Sequence, residues 1–134
     1  MNPLIINGVS ALAGGFLALA FGSWNQILSI FLITILIDYI TGVLASIKEG
    51  SGLDSQIGFW GVTRKALMLL VIVLAHQMDQ VMGSGGDVIK TGAIYFYMSN
   101  ELISITENYG RLGLPLPDKI RRIIAVLRNK EEDK

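Results

Sequence analysis

Residues Thr91–Pro117 read TGAIYFYMSNELISITENYGRLGLPLP, a segment greasy enough to enter a membrane that carries an acid, Glu101, in its middle. On a helix turning about 100° per residue, Lys90, Tyr97, Glu101, Ser104 and Asn108 fall within about 40° of one line, with Ala93 and Ile94 flanking it. An ionised carboxylate at the bilayer centre costs roughly 2.5 to 3.5 kcal/mol on insertion scales, so this stripe is expected to face protein or water. An interaction seam or a pore lining follows. The alternative is a carboxylate near a helix end that snorkels to the headgroups.

Composition points the same way. The chain has 134 residues, 51% of them hydrophobic, and a mean hydropathy of +0.53, too apolar for an ordinary soluble domain. Formal net charge is zero, but none of the eleven basic residues precedes Lys48 and seven lie from Arg111 onward. The absence of cysteine removes disulfides, thiolate metal sites and cysteine nucleophiles. With His76 as the single histidine, a metal site would have to be built on carboxylates, so neither metal nor cofactor is expected. Nor can a nucleophile, base and orienting group be assembled, which argues against an enzyme. No nucleic-acid partner is expected. The N-terminus lacks the basic residue that opens a signal peptide and reads as a retained membrane segment.

Outward from the Glu101 stripe, the spacing predicts an all-α membrane protein of about four transmembrane helices plus a short C-terminal basic amphipathic helix. Leu4–Phe21 is free of charge and near the shortest length that crosses a bilayer. Its Gly8, Ala11, Gly15, Ala18 and Gly22 share one face, expected to be a helix-packing surface because small side chains admit close backbone approach. The other reading is that small residues are common in such helices. Ile27–Ile47 supplies a second span, with Asp38 among Thr34, Thr41, Gly42 and Ala45; a structural Asp bonded to Thr34 or Thr41 is as reasonable as a functional one. Residues 48–56 read as a loop and Ile57–Thr63 as an interfacial aromatic segment. A third span starts at Ala66 and reaches Met82, its His76 and Asp79 being explained either as one helix face or as a solvated helix end. Val88–Ile105 is the fourth, broken by Asn108–Pro117.

From Asp118, Ile120, Ile123, Ile124 and Leu127 recur at helical spacing opposite Lys119, Arg121, Arg122 and Arg128. Such a helix either lies on an anionic leaflet or packs beneath the bundle. Residues 1–117 are thus expected to form a transmembrane helical domain, and 118–134 a cytoplasmic amphipathic helix with a charged tail. The basic residues Arg64, Lys65, Lys119, Arg121, Arg122 and Arg128 are expected at the membrane surface, which places both termini in the cytoplasm.

Asp38 with Thr41-Gly42, Ser55, Gly58 and Gly61 before Arg64-Lys65, Asn100-Glu101, Ser104-Ile105, Glu107-Asn108, and Gly113 with Pro115 and Pro117 resemble, in order and spacing, the toxin-secretion and phage-lysis holin family of Gram-positive bacteria and their phages. The resemblance covers roughly Ile35 to Leu127. It implies a non-enzymatic protein that accumulates in the cytoplasmic membrane, oligomerises and opens lesions releasing a cell-wall hydrolase or a toxin. On that reading Asp38 and Glu101 serve the assembled, polar-lined state rather than folding of the single chain. The competing class is a membrane scaffold, in which they pair with Arg64, Lys65 or Lys90 to hold the bundle together, or an antiholin that restrains lesions.

Overall fold

The computed structural model describes residues 1–52, 54–83 and 85–132, with the side chains of 127, 131 and 132 left aside. Among the described residues there are five helices: α1 Pro3–Phe21, α2 Gln26–Lys48, α3 Ser55–Met82, α4 Val88–Arg111 and α5 Asp118–Glu132. Each of the first three starts on a polar cap. Asn2, Asn25 and Asp54 accept from the backbone N–H of Leu4, Leu28 and Gln56, occupying donors that a helix start leaves free. Gly22, Gly83 and Gly113 follow helix ends at positive φ, a conformation that costs glycine least.

α4 is the organising element. It packs along α2 and α3 and receives α5, whereas α1 touches mainly α3. The reason lies in the spacing of the inward residues. Leu28, Phe31, Thr34, Asp38, Thr41 and Ala45 of α2 recur every three or four positions, and Lys90, Ile94, Glu101, Ile105 and Asn108 of α4 every three, four or seven, so each helix presents one buried stripe to the other. Leu28, Phe31, Ile72 and Ile94 form a fully buried apolar cluster. The other inward positions are mostly polar, while Leu36, Leu44, Leu70 and Leu74 stand outward and exposed. Hydrocarbon is a suitable solvent for that exterior, and buried polar groups hold such helices together.

One expectation is revised. Ile57–Thr63, expected as an aromatic segment set apart from the third span, is continuous with it: α3 is one 28-residue helix from Ser55, capped by Asp54, so Arg64 and Lys65 lie inside it. Gly58 and Gly61 lower its helix propensity without breaking it. Among the described residues three helices, α1, α2 and α3, are long and apolar enough to cross a membrane. α4 is not among them, because the polar residues that make its stripe also dilute its hydropathy. It also runs past Ile105 to Arg111, ending at Gly113 (φ +76°) rather than at Asn108.

Candidate functional site

Asp38 precedes the end of α2 at Lys48 by ten residues, Lys65 follows the start of α3 at Ser55 by ten, and Glu101 precedes the end of α4 at Arg111 by ten. The ends of α2 and α4 lie together, because Lys48 Nζ donates to the Leu112 carbonyl (2.6 Å) and the Arg111 guanidinium grips Glu49, and α3 starts at Ser55, shortly after α2 ends at Lys48. At about 1.5 Å per residue the three side chains therefore share a level about 15 Å along the bundle. There Lys65 Nζ lies 2.6 Å from Asp38 Oδ2 and 2.6 Å from Glu101 Oε2. The lysine side chain is 15% exposed, the carboxylates 11% and 4%. One ammonium from α3 thus joins a carboxylate from α2 to one from α4.

Asn108 completes the cluster. Its Nδ2 donates to Asp38 Oδ1 (2.9 Å) and the Asp38 carbonyl (3.1 Å), and lies 3.0 Å from Thr41 Oγ1. Thr41 in turn donates to the Ile37 carbonyl, and Thr34 to that of Ile30, so neither hydroxyl is spent on the Asp38 carboxylate. No buried side-chain polar atom among the described residues lacks a partner. A cleft of about 370 Å³ opens beside the cluster, with Gly42, Gly61, Arg64 and Ser104 on its walls. Outside the spans, the bidentate bond from Arg111, reinforced by Lys48, holds the Glu49 carboxyl below its ordinary range.

A second polar knot ties the opposite end. Asp79 of α3 accepts from the backbone N–H of Ile89 (2.9 Å) and Lys90 (2.9 Å), capping α4 from another helix. His76 Nδ1 lies 3.0 Å from Asp87 Oδ1, and fully buried Lys90 reaches the Ser23 carbonyl (3.1 Å) and Asp87 Oδ2 (3.6 Å). His76 also packs on Gly22, where a Cβ would lie 2.3 Å from its Cε1. Gln77 donates to the last carbonyls of α1, those of Leu19 and Ala20.

The polar-stripe residues are therefore divided. Asp38, Glu101 and Asn108 meet, and Ser104 borders their cleft. Lys90 belongs to the opposite knot, and Tyr97 packs on the apolar cluster. Lys65, expected at the membrane surface, is instead the interior counter-ion, whereas Arg64, turned about 100° away on the same helix, stays exposed. Asp38 and Glu101 do not wait for assembly to find a partner; the single chain supplies it. On the α1 face, Gly22 meets His76 and Ala18 borders the cavity between α1 and α3, while nothing stands within 4 Å of a Cβ at Gly8 or Gly15. α1 has no buried residue at all. The role of Lys65 had one signal in the sequence: Lys65, Met68, Ile72, Ala75 and Asp79 recur at helical spacing, continuing the buried stripe of α3. Asp79 as a cap for α4 had none, being set by how two helices meet.

Comparison with known proteins gives the arrangement a lineage. The model of the bacteriophage holin family matches residues 15–129. An uncharacterized protein of Halalkalibacterium halodurans is 36% identical over 126 residues, 91% of this chain and 93% of the relative. A Clostridium perfringens protein described as an uncharacterized 14.9 kDa protein in the nagH 3' region is 40% identical over 111 residues, 83% of each. A protein of Bacillus phage phi105 named as a probable holin is 34% identical over 107 residues, 80% of this chain and 78% of its own. No solved structure matches. The family match spans both the Asp38–Lys65–Glu101 cluster and the basic helix α5, and this all-helical integral membrane protein belongs to the bacteriophage holin family.

Proposed function

We propose that this chain oligomerises in the bacterial cytoplasmic membrane and permeabilises it, releasing a cell-wall hydrolase (endolysin) or a toxin during host lysis. Family membership and the phage phi105 relative support the reading. The observation that carries it is the bridge from Lys65 to Asp38 and Glu101, where charges from three helices meet inside the bundle; on this reading that level is about halfway through a core some 30 Å thick. Within one copy they satisfy each other and leave an apolar exterior for lipid. In an assembly, water satisfies them equally well once the helices separate, so two arrangements of similar energy exist for one sequence. On this reading α4 is a fourth span, its polarity turned inward, and both termini are cytoplasmic because Lys48 and the basic residues from Arg111 onward cluster at one end. The open face of α1 at Gly8, Ala11 and Gly15 contacts neighbouring copies.

Expression of the chain alone should release a trapped dye and a co-expressed hydrolase. Glu101→Gln should reach the membrane yet lyse late or not at all, and Glu101→Leu should abolish release. Release on the parental schedule by both variants would make the acid a bystander. The full satisfaction of the buried polar groups favours a second reading, a scaffold or antiholin. An intact membrane after expression alone, with restraint of a co-expressed holin, would select it. Single cysteines at Asn2 and Ser51 report topology, since labelling of Ser51→Cys from outside intact cells would overturn the orientation.

A further inference from the structure

We infer that the elbow between α4 and α5 is a binding site for the phosphate of an anionic glycerophospholipid. α5 folds back against α4, burying Ile124, and leaves a cleft of about 560 Å³ bordered by Thr106 of α4 and by Arg121, Arg122 and Arg128 of α5. Three arginines line one cleft, Arg128 with a further interaction of its own. Among the described residues its one acid, Asp118, has a side chain 82% exposed and stands 4.0 Å from Arg121. Arg122 makes no hydrogen bond or ion pair among the described residues. Arg121 is held in place, its Nε and Nη2 donating to the Leu116 carbonyl at 3.3 and 3.2 Å, which leaves its other nitrogen for a ligand. A guanidinium already fixed by the backbone loses little freedom on meeting a phosphate, and Arg122 can match that geometry in two parallel bonds.

The neighbouring space decides which phosphate. Adjoining the arginine cleft, and sharing Thr106 and Arg121 with it, is an apolar notch of about 390 Å³ formed by Gly110, Gly113, Leu114, Pro115 and Leu116. A soluble phosphate would use the arginines and leave the notch in contact with water. A phospholipid fills both, with its phosphate on the guanidinium groups and its glycerol and upper acyl carbons against Leu114 and Pro115. The elbow follows directly from the end of α4 that carries Lys48, Glu49 and Arg111. That is the level at which headgroups meet a helix bundle, and basic pockets there retain anionic lipids. The site is a property of the closed, single chain and does not depend on whether lesions form.

The full-length protein in detergent, titrated with phosphatidylglycerol or phosphatidylcholine and read by native mass spectrometry, tests the site without any lytic readout. One phosphatidylglycerol should be retained per chain and phosphatidylcholine should not. Arg122→Lys keeps the charge but removes the fork, and should weaken retention about tenfold or more, the worth of a charge-assisted hydrogen bond. Lys119→Gln with Lys130→Gln, which deletes two charges outside the cleft, should change it less than about twofold, a weak attraction in detergent with no anionic leaflet present. Equal retention of the two lipids would overturn the proposal, as would undiminished retention in Arg122→Lys. Displacement of phosphatidylglycerol by an equal concentration of inorganic phosphate would assign the arginines to a soluble anion and overturn the lipid assignment.

Discussion

Replacing Lys65 by Met tests the core of the structural argument. Both carboxylate oxygens lie 2.6 Å from the ammonium, so without it two nearly buried acids face each other across at most about 5 Å with no cation between them. Removing one member of a buried ionic group costs about 3 to 5 kcal/mol, because the groups left behind have lost their solvation and gained nothing in return. For a chain of 134 residues that corresponds to a fall in midpoint on the order of 10 °C. The assay is thermal unfolding in detergent micelles followed by helical circular dichroism. A triple variant, Asp38→Asn, Lys65→Met, Glu101→Gln, removes all three charges while keeping size. It should recover most of the loss, since a neutral replacement of a whole ionic cluster is often tolerated. A Lys65→Met protein melting within about 2 °C of the parent would refute the reasoning, showing that the bridge carries no folding energy. If the triple variant were as unstable as the single one, shape rather than charge would be the cause.

Three further outcomes follow from the same geometry. Gly22→Leu should detach the end of α1 from α3, because a Cβ there would sit 2.3 Å from the His76 ring and φ is +72°; an α1–α3 disulfide cross-link that forms in the parent background but not in the variant would show it. Asp79→Ala removes the acceptor for the N–H groups of Ile89 and Lys90 and should cost about 1 to 2 kcal/mol, as lost helix caps do, with hydrogen exchange quickening first at the start of α4. Glu49 is held below its ordinary pKa by Arg111, so its contribution is fully present above the unfolded carboxylate value and disappears as pH falls through the lowered folded one. Protection of the Leu112–Gly113 amides, taken relative to their intrinsic exchange at each pH, should therefore fall on acidification in the parent and show no such step in Glu49→Gln.

Much of the helical framework is legible in the chain. The apolar runs Leu4–Phe21 and Ile27–Ile47 give α1 and α2 to within a residue or two, because hydropathy is a local property. The start of α3 was not legible in the same way. Glycines and a basic pair read as interruption, yet Asp54 caps a helix that continues through them, since an inward lysine with two acids to meet is tolerated where an isolated one is not.

By itself the sequence determined that this is an all-helical membrane chain with a basic amphipathic end, and that Asp38, Glu101 and Asn108 sit on stripes that must avoid lipid. Periodicity fixes which face a residue is on, so these conclusions needed no partner. Only the tertiary structure decided what each stripe meets: that Lys65 rather than Arg64 answers both acids, that Lys90 belongs to the opposite end with His76 and Asp87, and that Asp79 caps a helix other than its own. A helical wheel assigns direction about one axis. Which axes lie side by side, and at what level, depends on packing among residues far apart in the chain, and at that distance local spacing carries no information.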